Sequence, residues 1–117
     1  MTKKTPEAVV YDLDHTLTKK KVAHNARRDA AKGKKVLVLT SRPSAQRKST
    51  EEFLKDNKIP AAKVVMRPPG DTRKDSVSKK DQYEKKIKGK YAVKKAYDDK
   101  PSNVKMLRSE GVKAKKV

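Results

Sequence analysis

Residues 35–39 read KVLVL, a run in which four successive positions are apolar and two are β-branched. A strand with one wet face alternates apolar and polar residues. A run that is apolar throughout is buried on both faces, which is the mark of a parallel sheet covered by helices above and below. Parallel neighbours cannot be joined by a tight turn; each needs a crossover of a dozen residues or more, usually a helix. This one stretch therefore demands further strands separated by helices.

The rest of the chain supplies them. Residues 8–12 and 63–66 read as strands, as do residues 92–97, with a weak fifth at an edge over 112–117. Helical segments fall between. Residues 23–32 end at Gly33, residues 45–57 follow Pro43 and Ser44, and residues 76–88 end at Gly89 with Val77, Tyr83 and Ile87 on one side. Residues 102–110 follow Pro101 and end at Gly111. Proline at the start and glycine at the stop are the usual helix punctuation. Alternating strands and helices predict an α/β fold, a Rossmann-like three-layer sandwich with a parallel sheet of about five strands. At 117 residues a single domain over 1–117 is the expectation. The Pro- and Gly-rich stretch 67–75, RPPGDTRKD, reads as an ordered loop.

In open sheets of this kind ligands bind beyond the C-terminal strand ends. Asp12, Asp14 and Thr16 follow the first strand, Thr40, Ser41 and Arg42 the second, and Asp98 and Asp99 the fourth. Lys79 lies near the start of the helix before the fourth strand, with Lys80 beside it; its interval to Asp98 singles it out. Together these groups suit phosphoryl transfer, which needs a nucleophile, a divalent cation and donors for the phosphate oxygens. A carboxylate can attack phosphorus and form an acyl-phosphate. Carboxylates from two strands suit Mg²⁺, a hard cation that prefers oxygen. Thr40, Ser41, Arg42 and Lys79 would hold the phosphate. A second carboxylate two residues on can move the proton. His15 and His24 are not at metal-ligand spacing and receive no chemistry.

The chain carries 33 Lys and Arg against 14 Asp and Glu, a net charge of +19. Such a charge attracts polyanions, a nucleic acid or a phosphorylated partner. With no cysteine, disulfides and thiolate zinc sites are excluded. The opening MTKKTPEAVV holds no long apolar stretch, so neither a signal peptide nor a membrane span is expected, and a cytoplasmic location follows by default.

The motifs resemble those of a known family. DLDHTLT (12–18 after its strand) is similar to the DxDxT signature of the haloacid dehalogenase superfamily of phosphatases, VLVLTSRP to its second motif and AYDDKPSN to its acidic fourth. Within that superfamily, GDTRKD at 70–75 resembles the 3′-phosphatase domain of T-even phage polynucleotide kinase, and the resemblance runs from about residue 9 to residue 112. It implies Asp12 as nucleophile and Asp14 as general acid and base. It implies phosphate contacts from Thr40, Arg42 and Lys79. Asp99, Asp12 and the Asp14 backbone carbonyl would bind Mg²⁺ with Asp98 assisting, and Arg73 and Asp75 would belong to an active-site loop.

No G-x-x-x-x-G-K-[ST] occurs, so only the phosphatase half of such an enzyme is represented. The segments 18–35 and 66–92 are too short for a cap domain, which leaves an open site suited to a large substrate. A nucleic acid with a phosphorylated end, above all a 3′-phosphate, is the expected partner. An open site excludes water poorly, so a homo-oligomer could complete it. The rival readings are the same enzyme acting on a small metabolite or phosphoprotein, and a non-catalytic basic module that binds nucleic acid. One feature opposes the pattern: the fourth strand should be covered on both faces, yet it holds Lys94 and Lys95, and a buried unpaired ammonium is costly.

Overall fold

The computed structural model describes residues 5–117; the first four residues of the N-terminal stretch lie outside it. Strands and helices alternate as β1 (Glu7–Tyr11), α1 (Lys20–Ala31), β2 (Lys35–Pro43), α2 (Arg47–Asp56), β3 (Ala61–Arg67), α3 (Asp75–Lys86), β4 (Ala92–Asp98), α4 (Pro101–Ser109) and β5 (Lys113–Lys116). The five strands form one sheet in the order β3-β2-β1-β4-β5, with every pairing parallel.

Both faces of the central strands are buried, as the KVLVL run requires. Val10, Leu37, Leu39 and Ala96 pack with Tyr83 of α3, Ile87 just past its end, and Val104 and Leu107 of α4. Val9, Tyr11, Val36 and Val38 turn the other way, against Val22 and Ala26 of α1 and Leu54 of α2. Two helices on each face give the three layers. Gly33 closes α1 with a φ of 85°, a left-handed conformation that side-chain-bearing residues resist. Among the described residues no helix is long and apolar enough to cross a membrane.

The chain builds β1, β2 and β3 outward on one side, then returns to lay β4 and β5 on the other. The order reverses between β1 and β4, and the crevice above that junction is where such sheets bind ligands. β2 runs through to Pro43, four residues beyond the expected end, so Thr40, Ser41 and Arg42 belong to the strand rather than to a loop after it.

Lys94 and Lys95 correct the expectation of a fully covered fourth strand. The β1–β4 register passes from Ala8↔Val93 to Val9↔Lys95, so Lys94 is the extra residue of a bulge. Both lysines are exposed. Only one face of β4 is fully covered, and no ammonium is buried there.

Candidate active site

Asp12 begins where β1 ends. Its backbone N–H donates to the Tyr97 carbonyl at 2.9 Å, carrying the β1–β4 ladder one step further and fixing the carboxylate over the crevice. The next five residues, Leu13–Leu17, wind into a wide turn with an extended Asp14 (ψ 135°) and a left-handed His15 (φ 58°). Leu13, Thr16 and Leu17 are buried and anchor the turn, so Asp14 is swung toward solvent. Thr16 Oγ1 donates back to Asp12 Oδ2 at 3.4 Å.

Lys79 lies on the inner stripe of α3 with Ser78, Gln82 and Tyr83, and is 3% exposed. Its Nζ donates to Asp12 Oδ1 at 2.8 Å and to Asp98 Oδ2 at 2.7 Å. Lys80, one helical step on, is exposed, so helix phase decides between the two lysines. Asp98 also accepts the Lys100 backbone N–H at 3.0 Å and Asn103 Nδ2 at 3.3 Å.

Carboxylate oxygens of Asp12, Asp98 and Asp99 lie within 4.8 Å of one another. Three carboxyl groups, two of them buried, share the one Lys79 ammonium there. This donor set of hard oxygens fits a divalent cation such as Mg²⁺. A second observation agrees: Asn103 Oδ1, on the buried amide bonded to Asp98, has no hydrogen-bond partner. Burial pushes the Asp12 carboxyl up to about 7, with the Lys79 ammonium opposing and the neighbouring Asp98 and Asp99 carboxyls adding to the rise.

Asp14 is engaged differently. Arg42 holds it with two parallel bonds, Nε to Oδ2 at 3.0 Å and Nη2 to Oδ1 at 2.8 Å. A third donor, Nη1, reaches Thr50 Oγ1 on α2 at 3.2 Å. The guanidinium bonds hold the Asp14 carboxyl below its ordinary range. The Asp14 carboxylate is not one of the three in the acidic cluster. Thr40 is buried, and its Oγ1 accepts the Arg42 backbone N–H at 3.1 Å, which leaves its own proton available for a ligand.

The loop expected at 67–75 is tied down by Arg67, the last residue of β3. Its guanidinium donates to the Ser41 carbonyl at 3.3 Å, to the carbonyls of Asp71 and Arg73 at 3.1 and 2.8 Å, and to Asp75 Oδ1 at 2.6 Å. Asp75 also pairs with Lys100, and these cations, Lys100 foremost, hold its carboxyl low. Asp75 thereby joins the loop to the acidic rim. Arg73 does not: its guanidinium binds Asp71 and Asp81, and no contact links it to the carboxylate cluster among the described residues. It lines instead a cavity of about 580 Å³ between α3 and α4.

The crevice thus gathers Asp12, Lys79, Asp98 and Asp99, with Asp14, Thr40 and Arg42 beside it. Sequence reasoning passed over Arg67, Thr50, Lys100 and Asn103. Lys100 and Asn103 follow the Asp-Asp pair closely enough to have been flagged. Nothing in the sequence marks Thr50 or Arg67 as partners of the site.

Residues 9–117 match the family described as "Polynucleotide kinase PNKP phosphatase domain". No curated protein matches the chain. Among solved structures, a chain of the Pnkp1/Rnl/Hen1 RNA repair complex is 32% identical with a TM-score of 0.92; the alignment covers 97% of this chain and 42% of that one. A second structure of the Pnkp1/Rnl/Hen1 complex gives 31% identity and a TM-score of 0.89, covering 99% and 47%. An uncharacterized protein from Corynebacterium glutamicum, 15% identical with a TM-score of 0.57 and covering 94% and 83%, shares the fold alone. The chain spans less than half the length of the two Pnkp1/Rnl/Hen1 chains.

Proposed function

The chain belongs to the family of polynucleotide kinase PNKP phosphatase domains, and from that premise we propose that it removes 3′-phosphate from polynucleotide ends through an aspartyl-phosphate on Asp12, with Mg²⁺ as cofactor. The observation that carries this reading is the buried Asp12 carboxyl, which shares the Lys79 ammonium with Asp98 and lies beside the third carboxyl, Asp99.

Asp12 attacks phosphorus as the bond from phosphorus to the 3′ oxygen breaks. Asp14 gives its proton to that departing oxygen. Water then attacks the acyl-phosphate and loses a proton to Asp14. The bond from phosphorus to the Asp12 oxygen breaks, which frees inorganic phosphate and restores the carboxylate. Mg²⁺, held by Asp12 and Asp99 with Asp98 behind them, would supply charge neutralisation for the phosphoryl oxygens. In this scheme Thr40, Ser41 and Lys79 would donate to those oxygens.

Arg42 has two roles in this scheme. With the phosphate absent it holds Asp14 ionised. An incoming phosphate competes for the same guanidinium; Asp14 released from it rises toward its ordinary range and takes up from solvent the proton that it then gives to the departing oxygen. Asp75 borders the entrance through Lys100 and Arg67, whereas Arg73 is bound to Asp71 and Asp81 and takes no part in this scheme.

Two observations favour a polynucleotide over a small metabolite. The short turn after β1 and the short loop after β3 leave the crevice without a cap. The net charge of +19 favours a polyanion. The relatives sit in an RNA repair complex, which supports an RNA end among the substrates. The test is phosphate release from a 3′-phosphorylated oligonucleotide with Mg²⁺ or EDTA, for wild type and Asp12→Asn. Release that needs both Mg²⁺ and Asp12 is expected. Equal release from a mononucleotide would favour a small-metabolite phosphatase, and oligonucleotide binding with no release would leave a basic binding module.

A further inference from the structure

The α1/α2 face of the sheet is not covered across its full width. Val9 and Tyr11 of β1 point into the α1/α2 core. Lys95 lies opposite Val9 and Tyr97 opposite Tyr11, and on β5 Lys113 pairs with Lys95 and Lys115 with Tyr97. Side chains at paired positions share a face. Continued onto β4 and β5, the face that buries valines elsewhere therefore carries three lysines around one tyrosine. All three lysines are exposed. Among the described residues none of their ammonium groups has a carboxylate within 4.0 Å.

An apolar partner does not fit such a surface, because unpaired ammonium groups resist desolvation. An anionic one does. Tyr97 adds a second element of recognition. Its ring stacks on Tyr11, with centroids 5.0 Å apart and planes at 19°, and is only partly buried. Tyr11 is fully buried and its hydroxyl donates to Asp29 at 2.5 Å, so the platform under Tyr97 is rigid. That bond also occupies an oxygen of Asp29. Lysines flanking an aromatic ring on a sheet are the elements that bind single strands: cations for the phosphates and a ring for a base.

Position ties this face to the crevice. Tyr97 immediately precedes Asp98, and the Val117 N–H donates to the Asp98 carbonyl. Lys95 lies about 10 Å back along β4 from Asp98, at roughly 3.3 Å per residue.

We propose that the open β4–β5 face, with Lys95, Lys113, Lys115 and Tyr97, is a second binding site that holds the backbone of a single-stranded polynucleotide. Phosphates lie against the lysines and one unpaired base lies on Tyr97, while the 3′ end enters the crevice. The last step rests on the reading of that crevice as a polynucleotide 3′-phosphatase; binding of the strand does not.

The test uses a short fluorescent single-stranded oligonucleotide without a terminal phosphate. Its affinity is measured against salt for wild type and for the triple variant Lys95→Gln, Lys113→Gln, Lys115→Gln. A charge-matched control carries Lys48→Gln, Lys55→Gln and Lys86→Gln. Each phosphate contact on a single strand contributes about 0.7 to the slope of log affinity against log salt, so the triple variant should lose about 2 from that slope and on the order of 10-fold in affinity at low salt. Tyr97→Leu should weaken binding by roughly 10-fold, with the slope unchanged. The triple variant should raise KM for a 3′-phosphorylated oligonucleotide and leave turnover of a nucleoside 3′-monophosphate unchanged. An unchanged affinity and slope in the triple variant, or an equal loss in the control, would overturn the proposal. If wild type binds through these lysines but releases no phosphate from any 3′-phosphorylated substrate, the face stands and the reading of the crevice fails.

Discussion

Arg42 grips both carboxylate oxygens of Asp14, at 3.0 and 2.8 Å, in the side-by-side geometry that only a guanidinium supplies. The pair joins the end of β2 to the turn after β1 and sets the charge state of Asp14 before any substrate arrives.

Asp14 should therefore titrate below the usual carboxylate range in wild type and return to it in Arg42→Ala. Carbon-detected NMR of the aspartate carboxyls checks this. The same variant, and Arg42→Lys, should raise KM, because each loses the two-pronged phosphate donor. An Asp14 titration that ignores Arg42 would mean that the pair does not persist in solution.

Asp14→Asn should lower phosphate release by about 10²–10⁴-fold for an alkyl phosphate such as a ribose 3′-phosphate. The loss in the first step should be much smaller for an aryl phosphate, whose leaving group needs no proton. Comparing the two leaving groups by rapid quench separates the acid role from the base role.

Lys79 bridges two buried carboxyls with one ammonium. Lys79→Met should destabilise the Mg²⁺-free protein by about 3–5 kcal/mol, because both charges remain without their partner. Adding Asp98→Asn should restore part of that loss. Urea denaturation of the single and double variants measures it, and a double variant less stable than Lys79→Met would contradict the assignment.

These relationships were unevenly legible in the sequence. An unbroken apolar strand such as KVLVL admits few folds, and a parallel sheet gathers its strand ends, so Asp12, Thr40 and Asp98 could be placed together before any coordinates. Pairings that depend on where side chains meet in space could not. Arg42 reads as a phosphate ligand, and nothing in the sequence marks it as a partner of Asp14. Lys79 and Lys80 are distinguished only by helix phase. Lys94 and Lys95 contradicted the pattern because a bulge and a half-covered sheet are tertiary facts. A strand with one wet face and one extra residue carries no signature when its wet residues are consecutive.

The raised Asp12 carboxyl gives a pH dependence with a definite sign. In the folded Mg²⁺-free protein it binds its proton up to about 7, whereas in the unfolded chain it releases it near the ordinary aspartate value of 3.8. Between those values the native state binds more protons, so this group's contribution to stability is full below the lower value and is lost as pH rises through about 7. Mg²⁺ binds the ionised form, so its stabilising effect should grow over the same range. Thermal melts with and without Mg²⁺ from pH 5 to pH 8 should diverge toward high pH. A constant Mg²⁺ effect would remove Asp12 from the cation site.

Arg67 fastens the loop after β3 through four partners: Ser41, Asp71, Arg73 and Asp75. Arg67→Ala should cost roughly 1–3 kcal/mol, since several part-buried hydrogen bonds from a charged donor are lost. It should also speed amide exchange within residues 68–74 more than elsewhere. Uniform acceleration across the chain would point to global destabilisation instead.

The central claim is that Asp12 becomes phosphorylated. A reaction with 3′-phosphorylated oligonucleotide and Mg²⁺, quenched in acid and reduced with borohydride, converts an aspartyl-phosphate to homoserine, which peptide mass spectrometry locates. Homoserine at position 12, dependent on substrate and enriched in Asp14→Asn where the second step is slowed, is the predicted result. Phosphate release with no homoserine at position 12 would contradict the account and require water to attack the substrate directly.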